Sequence, residues 1–315
     1  MERIKGAMFF TAAFALAGSS VVAARFAGRA LGPYTIAAMS LLFALPVLLM
    51  MSRENLLALI KGLSRRGWLM ALLQAAFGIF LFRLFLLNGV PHTSTAEAGI
   101  LTGVTPAATA LLAGLLLREP ISRARVAGIA CTVAGVLLIQ GLLLPGAKFS
   151  SEHLLGNLLV LLAALSESVF NILSRLGFLR KSEGLTADPI SQTTLVTAVA
   201  LALCAIPAAL ESPFVALYSM DLPGWLALVW YGPFVTALAY VCWYEGIRRC
   251  EASMAAAFSG MMPLVALMLS ITLLGERPGW PQLIGGALVV AGMLLSGAKG
   301  ASRRLPNAQK LPENS

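Results

Sequence analysis

One stretch of this sequence occurs twice, and the two copies align without a gap at a separation of 157 residues. Residues 83–138 and 240–295 share 15 identities over 56 positions. Apolar composition alone would not align the glycines, proline and glutamate found among these identities. The matched pairs are Gly89 with Gly246, Gly103 with Gly260, Pro106 with Pro263, Glu119 with Glu276, Gly128 with Gly285 and Gly135 with Gly292. We therefore expect the chain to fold as two related halves.

The composition places both halves in a membrane. Apolar residues make up 58% of the chain and charged residues 12%, and the mean hydropathy is +0.85. A soluble domain usually carries about 25% charged residues. Several apolar stretches reach roughly 20 residues, which is enough to cross a bilayer as a helix. They lack the strict alternation of barrel strands, so the sequence predicts an all-α integral membrane protein in contact with the lipid bilayer.

Turn-forming and charged residues divide the chain into ten predicted transmembrane helices. Because each half holds an odd number of helices, the second half enters the membrane from the opposite side, which predicts two inverted five-helix repeats. The first repeat covers residues 1–143 and the second 150–298, and the polar tail 299–315 is predicted to be disordered in the cytoplasm. The predicted helices are 5–24, 34–51, 68–87, 94–117, 123–142, 154–174, 190–210, 224–246, 252–274 and 280–298.

Basic residues predict the orientation of the chain. When the N-terminus is placed in the cytoplasm, 18 of the 23 Lys and Arg residues lie on the cytoplasmic side, four lie outside, and Arg83 lies within a span. Positive residues concentrate on the cytoplasmic side of membrane proteins. We therefore predict a multi-pass protein of the bacterial inner membrane with both termini in the cytoplasm. This distribution also explains the net charge of +9 without a nucleic-acid partner, which we do not expect.

The sequence offers little for catalysis, metal binding or cofactor binding. Its four cysteines form no CxxC pair, and its two histidines, His92 and His153, fall in predicted loops. The sequence contains no HExxH motif and no glycine-rich loop that ends in a phosphate-binding lysine. We therefore predict that the chain is not an enzyme, has no catalytic residues, and holds no metal and no cofactor.

A longer motif is shared by the two copies and points to a family. In each copy a proline is followed 13 residues later by a glutamate and then by G-x-A-x-x-V-A-G, which reads Pro106, Glu119 and 128–135, then Pro263, Glu276 and 285–292. This pattern resembles the EamA family of the drug/metabolite transporter superfamily. Arg118 and Arg277 depart from it, because the family usually flanks the glutamate with glycine and a small or apolar residue.

The resemblance implies a fold and a range of activities. In that fold the first, third, fourth, sixth, eighth and ninth helices line a central cavity, and the fifth and tenth lie to one side. The family exports amino acids, their derivatives, other metabolites and drugs. The leading hypothesis is a secondary transporter that exports amino acids or related small-molecule metabolites by alternating access between the repeats. The alternatives are a drug or cation efflux transporter and, in another class, a non-transporting membrane receptor or scaffold.

Glu167 is the sharpest candidate for binding a substrate or a proton. It lies about 14 residues into the sixth predicted helix, and no other charge lies within seven residues on either side. A carboxylate in lipid is costly, so it should face protein or water. It could carry a proton, which is the basis of a hypothesis of coupling to protons, or it could hold a cationic group. The alternative is a protonated or snorkelling side chain near the inner surface. Asn171 shares its helix face one turn later.

Arg83 lies late in the third predicted helix, at the position where the second copy has Tyr240. A cation at this position suggests either a ligand for a substrate carboxylate or a structural ion pair. Glu97 follows at a similar depth across the next turn, so we expect an ion pair between Arg83 and Glu97 at the outer mouth. The alternatives are a capping box from Ser94 to Glu97 and an Arg83 side chain that snorkels to the surface.

Two prolines are candidates for shaping or gating the site. Pro106 and Pro263 each remove a helical hydrogen bond, which frees the carbonyls of Thr102 and Ser259. These carbonyls could accept a substrate ammonium group or permit a gating bend. The alternative is a static kink whose carbonyl is satisfied by a neighbouring hydroxyl, such as that of Thr105.

Three further residues complete the candidate substrate site, namely Gln74, Tyr240 and Trp243, and each could line the cavity or serve in packing. Glu119 and Glu276 are expected to be structural, capping the following helix or pairing with a neighbouring arginine. Small residues crowd the fifth and tenth helices, which indicates close helix contact. That contact could lie within the bundle or between the protomers of a homodimer.

Overall fold

A computed structural model gives the arrangement of most of the chain. It describes residues 2–52, 55–116, 122–139, 143, 153–179, 189–249, 258 and 261–297, and within these ranges it contains helices and turns but no strand. We number ten helical segments in chain order. They are α1 (Glu2–Gly18 and Ser20–Ala27), α2 (Pro33–Ser52), α3 (Arg65–Ala75, Ala76–Leu81 and Phe82–Gly89), α4 (Thr95–Thr102 and Thr105–Leu116), α5 (Arg123–Ile139), α6 (Leu154–Leu179), α7 (Pro189–Leu210), α8 (Leu222–Val229, Trp230–Leu238 and Ala239–Arg249), α9 (Met261–Leu274) and α10 (Trp280–Gly297).

Seven of the described helices are long and apolar enough to cross a membrane, namely α1 to α4 and α6 to α8. α9 and α10 are apolar but shorter as described, and α5 has 17 residues. The all-helical, multi-pass membrane architecture expected from the composition is confirmed. The division into ten spans and two inverted repeats stays a prediction. The start of the ninth predicted helix and the tail 299–315 lie outside the described residues.

Two short helices were not predicted from the sequence. Leu56–Gly62 follows α2, and Pro213–Tyr218 follows α7. The sequence patterns predict plain connections at both places. Each helix has fewer than eight residues, so neither is long enough to show a helical period in its apolar residues.

α3 and α8 each contain a π-helical segment, and the two segments overlap when the copies are aligned. They are Ala76–Leu81 and Trp230–Leu238. A π-helical turn holds more residues than an α-helical turn and often occurs at functional sites. In both copies the segment ends two residues before the position occupied by Arg83 in α3 and by Tyr240 in α8. The similarity between the two halves therefore includes a π-helical segment just before the aligned copies, next to Arg83 in α3 and Tyr240 in α8.

α5 and α10 pack against each other through the glycines of the shared motif. A Cβ atom added to Gly135 would lie 2.6 Å from the carbonyl oxygen of Gly285, and one added to Gly292 would lie 2.6 Å from that of Gly128. Real Cβ atoms essentially never approach other atoms this closely. The close helix contact expected from these residues therefore occurs within one bundle, between the twin helices of the two copies.

Glu276, in the loop between α9 and α10, caps a helix of the other half. Its carboxylate oxygens accept the backbone N–H groups of Thr95 and Ala96, both at 2.9 Å, at the start of α4. A carboxylate is favourable there because the N-terminus of a helix carries partial positive charge. The sequence predicted that Glu276 caps the following helix, α10, or pairs with Arg277. Instead it caps α4, a helix of the other half. Its twin Glu119 lies outside the described residues.

Glu211 makes the same kind of contact at the start of α2. It follows α7, and its carboxylate accepts the backbone N–H groups of Tyr34 at 3.2 Å and Thr35 at 2.8 Å. The Thr35 hydroxyl donates to the same carboxylate at 2.7 Å. Loops of the second half thus hold two helix starts of the first half.

Replacing Glu276 by alanine is expected to lower the free energy of unfolding by about 1–2 kcal/mol, the usual effect of losing a helix cap. The physical reason is that two N–H groups at the start of α4 lose their acceptor. Thermal unfolding of the purified protein in detergent measures the change. Arg277→Ala is the matched control, because Arg277 is exposed beside the cap. Equal melting temperatures for the two variants would contradict the capping role.

Candidate functional site

The Arg83 cluster consists of Arg83 on α3, Ser40 on α2, and Tyr231 and Thr236 on α8. Arg83 is only 6% exposed. Its guanidinium donates to the hydroxyl of Ser40 and, at 2.6 Å, to that of Thr236. It also lies 4.6 Å from the centroid of the Tyr231 ring, which attracts a cation through the negative face of the ring. All three partners are neutral, so the cation remains without a carboxylate partner among the described residues.

The ion pair expected between Arg83 and Glu97 is not formed, although the structure describes both side chains. Arg83 is directed between α2 and α8, and Glu97 contacts other helices at one end of the bundle. The alternative that Arg83 snorkels to the surface is also wrong, because its side chain is buried. The sequence predicts how deep each residue lies along its helix but not which way its side chain points around the helix axis. The two side chains lie on helices that face different neighbours, so they do not meet.

The Glu97 cluster consists of Glu97, Thr93, His153, Asn157 and Gln282. Glu97 is 4% exposed. Its carboxylate accepts hydrogen bonds from Asn157 Nδ2 at 2.8 Å and Gln282 Nε2 at 3.0 Å. Thr93 Oγ1 lies 3.1 Å away and His153 Nδ1 3.4 Å away. These partners come from the turn before α4 and from the starts of α6 and α10. The cluster therefore fastens three helices together at one end of the bundle.

The capping box considered for Glu97 is half present. The Ser94 hydroxyl accepts the backbone N–H of Glu97 at 3.1 Å, but the Glu97 carboxylate is bound within its own cluster. Asn157 and Gln282 were not predicted from the sequence as partners of Glu97. The available signal was that each is a lone amide in the first turn of an apolar helix.

The Glu167 cluster consists of Glu167 and Asn171 on α6 and Thr102, Thr105 and Thr109 on α4. Glu167 Oε2 lies 3.0 Å from the Thr105 hydroxyl, which also lies 2.9 Å from the Thr102 carbonyl oxygen. One turn further along both helices, Asn171 Nδ2 donates to Thr109 Oγ1 at 3.3 Å. Glu167 and Asn171 share one helix face, as expected, and that face meets α4. Among the described residues, Glu167 has no cationic partner.

The candidate kink at Pro106 lies within this cluster. α4 is interrupted after Thr102 and resumes at Thr105, so Pro106 is the second residue of the new segment. A proline is tolerated there because its fixed φ suits the first turn of a helix. The carbonyl of Thr102 lies within hydrogen-bond distance of the Thr105 hydroxyl, the partner named by the static alternative.

Three further candidates lie on α3 and α8. Gln74 is fully buried, and its Oε1 accepts from Gln192 Nε2 on α7 at 2.8 Å, while its Nε2 has no partner within the described part of the chain. Tyr240 and Trp243 are partly buried on α8.

The second proline site is described only in part. Pro263 is buried as the third residue of the described α9, whereas Ser259 lies outside the described residues.

Two isolated charges therefore lie within apolar helices but in different seams of the bundle. Arg83 lies between α2, α3 and α8, and Glu167 faces α4. Because an intramembrane charge is costly, it is retained mainly where it binds a substrate, an ion or a proton. No group of three or more His, Cys, Asp or Glu side chains that could hold a metal occurs in the described ranges.

Comparison with known proteins adds an independent observation. A family model described as the EamA-like transporter family matches residues 4–141 and again residues 154–298. YetK, an uncharacterized transporter of Bacillus subtilis, is 31% identical over 309 residues, covering 96% of this chain and 88% of the relative.

More distant relatives carry more specific names. The aromatic amino acid exporter YddG of Ancylobacter novellus is 26% identical, over 68% of this chain and 71% of the relative. A probable terminal-alkyne amino-acid exporter of Streptantibioticus cattleyicolor is 25% identical, over 75% of each chain. A solved crystal structure matches with a TM-score of 0.61 and 21% identity, covering 92% of this chain and 95% of the other. At that identity the match supports the fold alone.

Proposed function

This chain belongs to the EamA-like transporter family, and from that premise we propose that it is a secondary transporter that exports amino acids or related small metabolites. The observation that carries the proposal is a pair of charges within the bundle, of which Arg83 is buried and Glu167 is partly buried. Arg83 and Glu167 lie within apolar helices and, within the described part of the chain, contact only neutral protein groups. An amino acid supplies the two groups that such charges bind, a carboxylate and an ammonium.

In this proposal Arg83 binds the carboxylate of the solute. The guanidinium is held in a fixed direction by Ser40, Thr236 and Tyr231, and it has further N–H donors that suit a carboxylate. The names of two relatives as amino-acid exporters support a solute that carries this group.

Glu167 then binds either a proton or the cationic group of the solute. Asn171 and the Thr102 carbonyl lie in the same cluster and could contact the solute beside it. Tyr240, Trp243, Gln74 and Ser259 remain candidate substrate contacts on the strength of their sequence positions.

The proposed mechanism is alternating access between two inverted five-helix repeats, with Pro106 and Pro263 as hinges. Support comes from the aligned copies, from the π-helical segments at equivalent positions, and from the glycine contact between α5 and α10. The distribution of basic residues supports both termini in the cytoplasm of a bacterial inner membrane. The family is one of transporters, which supports a non-enzymatic role. A homodimer stays a prediction, because the small residues that suggested it pack α5 against α10 within one bundle.

One observation favours a second candidate function, drug or cation efflux. Glu167 is a carboxylate beside a backbone carbonyl that lacks its helical N–H donor, and this pair of acceptors suits an ammonium group without a carboxylate. The two functions differ in whether transport needs the solute carboxylate.

The experiment that tests the proposed function measures solute uptake into vesicles that contain the purified protein, driven by an outward proton gradient. We expect accumulation of amino acids by the wild type and loss of the proton-driven part in Glu167→Gln. Glu2→Gln is the control, since the Glu2 side chain is 67% exposed. Pumping of cationic drugs but not amino acids would support the second candidate. An absence of any solute flux would favour a receptor or scaffold, and an unchanged pH dependence in Glu167→Gln would reject proton coupling through this residue.

A further inference from the structure

The hydroxyl of Thr105 lies between two acceptors at the break in α4. Its Oγ1 is 2.9 Å from the carbonyl oxygen of Thr102 and 3.0 Å from Oε2 of Glu167. A threonine hydroxyl carries a single proton and can accept further hydrogen bonds through its lone pairs. It can therefore donate to only one of the two acceptors at any moment.

Glu167, Thr105 and the Thr102 carbonyl have two arrangements of hydrogen bonds, which differ in the protonation of Glu167. When Glu167 is protonated, its O–H donates to Thr105 Oγ1, and Thr105 donates its own proton to the Thr102 carbonyl, so both contacts are hydrogen bonds. When Glu167 is ionised, it has no proton to give, and the Thr105 proton must choose between the two oxygens. A hydrogen bond to a carboxylate is the stronger choice, so the Thr102 carbonyl then loses its donor.

That carbonyl lacks its usual α-helical donor. Pro106 occupies the position whose backbone N–H would otherwise bond to Thr102, and proline has no N–H. The conformation of the break in α4 is therefore favoured when Glu167 holds a proton and disfavoured when the proton leaves.

The break is also held against α6 by neighbouring contacts. Ser168 Oγ lies 3.0 Å from the carbonyl oxygen of Thr105 and 2.7 Å from that of Ala164. Asn171 bonds Thr109 one turn further on. A change in the Thr105 hydrogen bond therefore occurs at a point where two helices are already joined.

We propose that Thr105 is the positioning residue that transmits the protonation of Glu167 to the break in α4. The inference rests on the proposed function, since it takes the proton that drives transport to be the one bound by Glu167. It adds the step by which that proton changes the conformation of a membrane-spanning helix.

No other charged group that the structure describes forms a hydrogen bond or an ion pair with Glu167. The helices packed most closely against α6 are α3 and α4. On α3, Arg65 and Arg66 are exposed at the helix start, and Arg83 is bound to Ser40 and Thr236.

Other described ionisable groups lie near the ends of α4 and α6. His92, in the turn before α4 that also packs against α6, is exposed. Glu97 on α4 is bound within its own cluster, which includes His153 at the start of α6. The side chain of Arg175 on α6 lies outside the described set. In the described structure, the Thr105 hydroxyl is the one hydrogen-bond partner of Glu167.

Infrared spectroscopy of the protein in liposomes tests the proton step without any solute. Lowering the pH should produce a band of a protonated carboxyl group that Glu167→Gln removes. In Thr105→Val, which replaces the hydroxyl by a methyl group of similar size, the band should move to higher frequency because the carboxyl O–H has lost its acceptor. In Thr105→Ser it should stay in place. An identical band in wild type and Thr105→Val would overturn the proposal.

Proton-driven uptake tests the coupling step. Thr105→Val should reduce it about tenfold, the effect of losing one hydrogen bond to a charged group, while exchange of solute without a gradient continues. Thr105→Ser should restore coupling. Thr272→Val is the matched control, because this exposed threonine on α9 bonds the backbone carbonyl of Met268 on its own helix and lies outside the Glu167 cluster. Normal coupling in Thr105→Val would reject the inference and leave the transport function intact. A wild type without solute flux would reject the transport function. The infrared result would still show whether protonated Glu167 donates a hydrogen bond to Thr105.

Discussion

Replacing Arg83 by glutamine is expected to reduce the flux of carboxylate-bearing solutes by about two orders of magnitude, since losing one partner of a buried charge pair costs about 2–5 kcal/mol. Glutamine can still hydrogen-bond to Ser40 or Thr236, but it cannot supply the positive charge. The measurement is uptake of a labelled amino acid by vesicles that contain equal amounts of folded protein.

Two controls separate this effect from a general loss of function. Arg29→Gln removes an exposed arginine that lies 4.8 Å from the ring of Phe26, and it should leave uptake unchanged. An amine that lacks the carboxylate of the amino acid should be transported equally by the wild type and by Arg83→Gln. If the variant transported amino acids at the wild-type rate, Arg83 would be a purely structural link between α2, α3 and α8.

Replacing Glu97 by leucine is expected to lower the free energy of unfolding by about 3 kcal/mol, because buried donors left without an acceptor cost about 1–3 kcal/mol each. Asn157 is 1% exposed, so its amide would find no water in place of the carboxylate. Gln282 would lose its acceptor as well. Equilibrium unfolding in mixed micelles measures the change.

The matched control for Glu97→Leu is His153→Ala. The His153 side chain is 41% exposed, so water can replace its contact with Glu97, and stability should change little. Glu97→Gln should fall between the two variants, because it keeps one oxygen acceptor. If Glu97→Leu were as stable as the wild type, the Glu97 cluster would not be what holds α4, α6 and α10 together at this end.

The helices themselves were largely predictable. Their apolar runs are long, and prolines, glycines and charged residues mark their ends, so ranges such as 34–51 and 190–210 differ from α2 and α7 by one residue or less at each end. The π-helical segments were not predictable, because a change of a fraction of a residue per turn leaves no mark on the apolar pattern. The short helices Leu56–Gly62 and Pro213–Tyr218 were missed for lack of length.

The candidate site was predictable in its charges but not in its contacts. Arg83 and Glu167 stand out because charges are rare in such helices. The side chains around them, Ser40, Thr236 and Thr105, are common in apolar helices and carry no distinguishing signal. Their importance comes from which helices lie beside one another.

The sequence by itself determined that this protein is an all-helical membrane protein with an internal repeat, because apolar length and repetition can be read directly along the chain. The motif shared by the two copies pointed to a family of transporters. Only the tertiary structure decided that Arg83 meets hydroxyls and a ring rather than Glu97, that Glu276 caps α4, and that Glu167 shares one hydroxyl with a helix break. The physical reason is that a hydrogen bond depends on direction and on a distance near 3 Å. Both are set by how helices rotate and pack against neighbours far away in the chain.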